Sequence, residues 1–142
     1  MTIKIVIGTK SGKCFQKELS QEESESLYGK VLGEEFNSEI IGITGAKFLI
    51  TVGSDASGFP MRKDLNGINK KKLLITKSTG FKGKLRGKRF GGLRIKRTVA
   101  GNTVYEKTHQ LNIKVTKGDK VIIDAFKPAV EPAKEEAAAP AE

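Results

Sequence analysis

The chain has 142 residues, 37% of them hydrophobic and 30% charged, with 26 Lys and Arg against 16 Asp and Glu and a formal net charge of +10. That length fits one domain with a thin core, and the positive excess calls for a polyanionic partner. A single cysteine, Cys14, excludes an internal disulfide, and with a single histidine, His109, it excludes a Cys/His zinc site. No apolar run approaches the roughly 20 residues of a membrane span. The N-terminus lacks the long apolar region of a signal peptide, which points to the cytoplasm.

The predicted elements are short. Ile3, Ile5 and Ile7 alternate with polar or smaller residues, and Phe15, Lys17 and Leu19 follow a turn at Thr9–Gly12, so the chain opens as a β-hairpin. Ser20 and Glu23 form a capping box for a short helix running to about Tyr28, where Gly29 stops it. Lys47–Val52 is the best central strand, and Gly53–Gly58 reads as a loop. A strand at Leu73–Thr76 follows Lys70–Lys72. The glycines at 80, 83, 87, 91 and 92 punctuate a basic stretch too poor in apolar residues for a core, read as an extended loop ordered by its partner. Leu93–Val99 alternates as a strand with one basic and one mostly apolar face. Leu111–Val115 is a further strand, and Val121–Ile123 reads as the last one. From Pro128 the chain is Pro, Ala, Lys and Glu with a lone Val130, a composition that predicts an acidic disordered tail over 128–142 behind a domain spanning 1–127. Many short strands, glycine turns and one short helix imply a mainly β fold: a small β-barrel or paired small sheets with basic extended loops.

Charge is segregated along the chain. Residues 1–60 carry a net −2, whereas 61–99 hold fourteen basic residues and one acid, Asp64, for a net +13. A solvated face normally mixes both signs, so this block predicts a phosphate-rich partner that supplies the counter-charge. The candidate RNA-binding residues are Arg62, Lys63, Lys70, Lys71, Lys72, Lys82, Lys84, Arg86, Lys88, Arg89, Arg94, Lys96 and Arg97. Phe59 and Phe81 are candidates either for stacking on bases or, with greater weight, for the core.

Catalytic patterns fail on inspection. Gly8–Cys14 resembles a phosphate-binding loop, but three residues rather than four separate its glycines, and Cys14 stands where Ser or Thr is needed. The glycines at 80–92 match no dinucleotide fingerprint. Cys14 and His109 form no recognisable nucleophile and base, and the carboxylates of 22–39 fall on a helix surface and a turn. Neither a catalytic residue, a metal, a cofactor nor a small-molecule substrate is expected. A membrane surface is not expected either, for want of an amphipathic helix with apolar anchors.

Four blocks in order carry a resemblance. They are Gly45-x-Lys-Phe-x-Ile-Thr51 leading into Gly53-x-Asp-x-Ser-Gly-Phe-Pro-Met-Arg-x-Asp-Leu65 with Gly67; Lys71–Ile75 with Gly80–Phe81; Lys96–Val99 with Gly101–Thr103; and Gln110–Lys114. Over roughly residues 3–123 the sequence resembles ribosomal small-subunit protein six of the archaeal and eukaryotic kind. The resemblance implies a structural part of the small ribosomal subunit that contacts ribosomal RNA and neighbouring ribosomal proteins in the cytoplasm, turning "some polyanion" into ribosomal RNA. The other reading of the charge is a free RNA-binding accessory module outside the ribosome. Two positions depart from the family pattern: Ala100 stands where an Arg is usual, and Phe90-Gly-Gly-Leu93 interrupts a basic run. Eukaryotic members continue into a long basic helix with phosphorylated serines; the acidic stretch ending at Glu142 resembles the short archaeal form instead.

Overall fold

In the computed structural model, which describes residues 2–126, the opening alternation becomes two antiparallel strands, β1 (Lys4–Gly8) and β2 (Cys14–Glu18). Ile3, Ile5 and Ile7 are fully buried. The chain reverses between them as a tight turn, with the Thr9 amide and hydroxyl both donating to the Lys13 carbonyl at 2.9 and 2.7 Å. The segment resembling a phosphate loop is therefore a hairpin turn. The tail expected over 128–142 lies outside the described residues.

The capping box forms as read: the Glu23 amide donates to Ser20 Oγ at 3.3 Å and the Ser20 amide to Glu23 Oε2 at 3.0 Å. Helix α1 (Gln21–Glu25) is shorter than predicted, giving way to turns before Gly29. Leu27, fully buried just beyond it, is the anchor. A short strand, β3 (Glu35–Asn37), and a 3-10 turn at Ser38–Ile41 lead into β4 (Lys47–Asp55), the central strand. The basic third supplies β5 (Lys71–Ile75), β6 (Lys84–Leu85), β7 (Lys88–Arg89) and β8 (Ile95–Val99), before β9 (Thr108–Lys117) and α2 (Asp119–Ala125) close the described chain.

The main sheet runs β2-β1-β9-β4-β3, with β1 and β9 parallel and the other pairs antiparallel. It is open at β2 and β3, so of the two expected architectures the paired small sheets are realised and the closed barrel is not. Its inner face carries Ile5, Ile7, Phe48, Ile50, Leu111, Ile113 and Val115, covered by Leu27, Ile41, Met61, Val104 and Ile122. β5 and β8 make a separate two-stranded ribbon, and β6 and β7 a smaller hairpin.

Three predicted elements are corrected. The stretch at 80–92, read as an extended loop, contains the β6–β7 hairpin. Gly53–Gly58 is not all loop: β4 continues to Asp55, and only 55–59 turns back, with the Asp55 amide donating to the Phe59 carbonyl at 3.1 Å. A bulge at Thr51, whose hydroxyl donates to the Asn112 carbonyl at 2.7 Å, shifts the register so that Gly53 faces Leu111. A Cβ at Gly53 would lie 2.6 Å from Met61 Sδ and 2.9 Å from a Leu111 methyl, so glycine is required there for close packing rather than for turning. Val121–Ile123 is helical, not a strand. Only Ile122 of the three is fully buried, and Phe126, four residues on, stacks on Phe15 with ring centroids 5.2 Å apart. The spacing of Ile122 and Phe126 puts both on one helix face.

Candidate nucleic-acid interface

The basic third is joined to the main sheet by a few backbone links. The Met61 amide donates to the Gly53 carbonyl at 2.9 Å, the Arg62 amide to Ala100 at 3.1 Å, and the Ala100 amide to Pro60 at 2.9 Å. Segment 60–62 is thus a connecting strip between β4 and the end of β8. A second interlock lies beside it. Asn102 donates through Nδ2 to the Lys63 carbonyl and to Asn66 Oδ1, and its Oδ1 accepts from the Gly67 amide at 3.2 Å. Gly101 crosses so close to Gly67 that a Cβ would fall 1.8 Å from its carbonyl oxygen.

On the ribbon, register decides which face each charge occupies. Lys72 lies opposite Thr98 and Leu74 opposite Lys96, so Lys72, Leu74, Lys96 and Thr98 share one face. Lys71 pairs with Val99, Leu73 with Arg97 and Ile75 with Ile95 on the other, where Ile75 and Val99 are buried around Phe81 and Pro60 near Gly80. The two-faced strand predicted at 93–99 is realised over Ile95–Val99, with Arg97 on the mostly apolar side, as its alternation with Ile95 and Val99 predicts, and itself exposed.

The hairpin arm carries Lys84, Leu85, Lys88 and Arg89 around a two-residue turn, Arg86–Gly87. Both turn residues have positive φ, 49° and 82°, the pattern of the tight turn whose twist suits a β-hairpin. Arg86 is the one non-glycine residue with positive φ among the described residues. Lys82 precedes the arm and Arg94 follows it, both exposed, and Lys63 is exposed beside the 60–62 strip.

Two predicted contacts are already engaged within the chain. Arg62 reaches Asp64 through Nη2, and through Nη1 it donates to Ser78 Oγ at 3.0 Å and the Thr79 carbonyl at 3.2 Å. Lys70 lies 2.6 Å from Asp55, with its ammonium 5.2 Å from the Phe59 ring centroid. Asp55 itself is buried at the end of β4 and also accepts from the Ser57 amide at 2.6 Å and the Tyr105 hydroxyl at 3.3 Å. Burial opposes ionisation of Asp55, but the hydrogen bonds from Lys70, Ser57 and Tyr105 outweigh it and hold its carboxyl below the usual value. The same pair raises the Lys70 ammonium through its hydrogen bond to Asp55. Burial, with the nearby Asp55 charge, raises the Tyr105 phenol. Asp55, read from sequence only as part of a turn, is thus the anchor that ties the start of β5 to β4.

The aromatic candidates separate cleanly. Phe81 is buried, and Phe59 is half-buried under Lys70. Phe90, legible in the sequence only as part of the interruption at 90–93, is 50% exposed. Lys77 was also outside the predicted set, because it stands alone between strands, yet it borders a cleft with Lys82, Arg89 and Phe90.

The catalytic pairing of Cys14 with His109 has no geometry. Cys14 is level with Gly8 and hence with Lys114, five residues along β9 from His109, roughly 16 Å at strand rise. Of the carboxylates at 22–39, Glu23 and Glu34 are taken up in local caps: Glu23 closes α1, and Glu34 accepts from the Val31 amide at 3.0 Å. Among the described residues no helix is long and apolar enough to cross a membrane.

Comparison with known proteins decides the family. The sequence profile described as ribosomal protein S6e matches residues 3–127, nearly the whole described chain. The chain belongs to the ribosomal protein S6e family. It is 40% identical over 119 residues to small ribosomal subunit protein eS6 of Methanocaldococcus jannaschii, covering 83% of this chain and 85% of that protein. It is 36% identical over 127 residues to the eS6 protein of Methanosphaera stadtmanae, covering 89% and 93%. With that of Nitrosopumilus maritimus it shares 37% over 111 residues, covering 78% and 77%. The resemblance carried by the four blocks is thereby borne out, and membership of the ribosomal protein S6e family is membership of a family of ribosomal proteins, not of enzymes. The blocks around Gly53–Gly67 and Gly101–Thr103 now have a physical reading as well: they are the two sides of the interlock that mounts the ribbon on the main sheet.

Proposed function

We propose that this chain is a structural constituent of the small ribosomal subunit, acting in translation in the cytoplasm, and that it binds ribosomal RNA through the β5–β8 ribbon and the β6–β7 arm. One observation carries the reading: residues 61–99 hold fourteen cations and one carboxylate, and that carboxylate, Asp64, is already taken by Arg62. Among the described residues the only other ion pair of this segment is Lys70–Asp55. Like charges gathered on a two-stranded ribbon repel, and a phosphate backbone relieves that repulsion while releasing condensed counterions. The names of the relatives support the ribosomal half of the proposal. The expected phosphate contacts are the exposed cations, Lys63, Lys71, Lys72, Lys82, Lys84, Arg86, Lys88, Arg89, Arg94, Lys96 and Arg97, with Arg62 and Lys70 serving first to position them.

The test is RNA affinity as a function of salt. Replacing Lys71, Lys72 and Lys96 by Gln is expected to weaken binding to small-subunit RNA and to flatten the log–log salt slope by about 0.7–0.9 for each phosphate that is no longer neutralised. An unchanged slope would place the RNA elsewhere. The protein is expected to sediment with small subunits through moderate salt, where a free accessory module would wash off.

A further inference from the structure

The molecule has seven phenylalanines, and six have an inward role. Phe36, Phe48 and Phe81 are buried, Phe15 and Phe126 stack on each other, and Phe59 lies under the Lys70 ammonium. Phe90 alone exposes half its surface. It follows β7 directly, and its amide donates to the Gly83 carbonyl at 3.4 Å, so the ring is carried by the base of the hairpin arm. There it borders an open cleft of about 240 Å³ whose remaining walls are Lys77, Lys82, Gly83, Arg89 and Gly91. No carboxylate lines the cleft. Nothing stands within 4 Å of where a Cβ would be at Gly91 or Gly92, so the approach past these glycines is open.

We infer that this cleft takes a single unstacked nucleotide of RNA, its base lying on the Phe90 ring and its phosphates met by Lys77, Lys82 and Arg89. The inference rests on the RNA-binding reading above and specifies what one part of that surface holds. An exposed aromatic ring in an otherwise cationic, carboxylate-free cleft matches a ligand that is flat and apolar at one end and anionic at the other. Bases inside an A-form duplex have their faces covered by their neighbours, so a ring gains stacking only from a base splayed out of a loop, bulge or end. The interruption of the basic run at Phe90–Leu93 supplies what such a site needs: one ring, and two glycines that leave space beside it.

The test compares the full chain with its Phe90→Leu and Phe90→Tyr variants on two probes, a ten-nucleotide oligoadenylate and an RNA duplex of the same length. Phe90 lies outside the core, so both variants fold, which circular dichroism checks. Phe90→Leu is expected to bind the single strand roughly 5- to 150-fold more weakly, with an unchanged salt slope and unchanged duplex affinity, and Phe90→Tyr to retain wild-type binding. Equal single-strand affinity for Phe90→Leu and wild type overturns the inference, as does an equal loss on both probes. If Phe90→Leu keeps its RNA affinities but drops out of small subunits, the ring faces a protein neighbour and the inference is likewise overturned. Failure of the wild type to bind either probe in a salt-dependent way would instead remove the basic-surface reading beneath it.

Discussion

Along β1, Ile5 and Ile7 disappear into the core while Lys4, Val6 and Gly8 stay at least partly exposed; along β5, of the same length, only the last residue, Ile75, is buried. The contrast extends to the two regions as wholes. Residues before 56 and after 103 supply nearly all of the main core, whereas between 62 and 99 the buried hydrophobic residues are Ile75, Phe81 and Val99 alone. The first region is held by removal of apolar surface from water, a force that needs no partner. The second is a two-stranded ribbon with a short hairpin arm, a form that is marginal in water by itself, and it carries the charge that opposes its own compaction. One protein thus divides into a part that folds on burial and a part held in place by the strip at 60–62, the Asn102 stitches and the Asp55–Lys70 pair.

Hydrogen exchange is the measurement most able to break this division. Amides of β1, β4 and β9 are expected to exchange only on global unfolding, at a cost of about 5–15 kcal/mol. Amides across 80–92 are expected to exchange with little protection in the free protein and to become protected in the subunit. Strong protection of the arm without RNA would erase the distinction.

Core and ribbon substitutions should differ nearly as clearly. Phe48→Ala, removing a fully buried ring from β4, is expected to cost about 3–5 kcal/mol. Leu74→Ala, on a residue that is 58% exposed, is expected to stay within about 0.5 kcal/mol. Urea unfolding reads both, and a large loss at Leu74 would show that the ribbon has a core of its own.

The anchor between the regions should give an intermediate effect. Asp55→Ala removes the acceptor for Lys70, Ser57 and Tyr105 and is expected to cost about 1–3 kcal/mol. It is also expected to change the pH dependence of stability. The folded carboxyl lies below its unfolded value, so its contribution is present above about pH 4 and is lost as pH falls through the folded value. Thermal melts between about pH 2 and pH 6 should therefore be flatter for Asp55→Ala than for wild type. Equal slopes would mean that another carboxylate, not Asp55, sets the acid limb.

Local chemistry was enough to read a good part of this protein. The hairpin of β1 and β2, the capping box at Ser20 and Glu23, the central strand from Lys47 and the segregation of charge into 61–99 each depend on residues close in sequence, whose periodicity or hydrogen-bonding pattern acts within a few positions. The four blocks were legible as a family resemblance, although their individual physical roles were not. What the tertiary structure decided are matters of long-range contact. The apolar triplet at 121–123 suits a strand locally, but the core receives only Ile122, and the stack of Phe126 on Phe15 rewards the helical spacing. Gly53 looks like a turn residue until Met61 and Leu111 are seen to close on it from distant segments. Asp55 becomes an anchor only because Lys70 and Tyr105, fifteen and fifty residues away, converge on it. Lys77 and Phe90, isolated in the sequence, come together only because the β6–β7 arm folds back between them. Local sequence sets which side chains prefer burial and which residues turn easily, but the pairing of charges and the exposure of one ring depend on which segments meet.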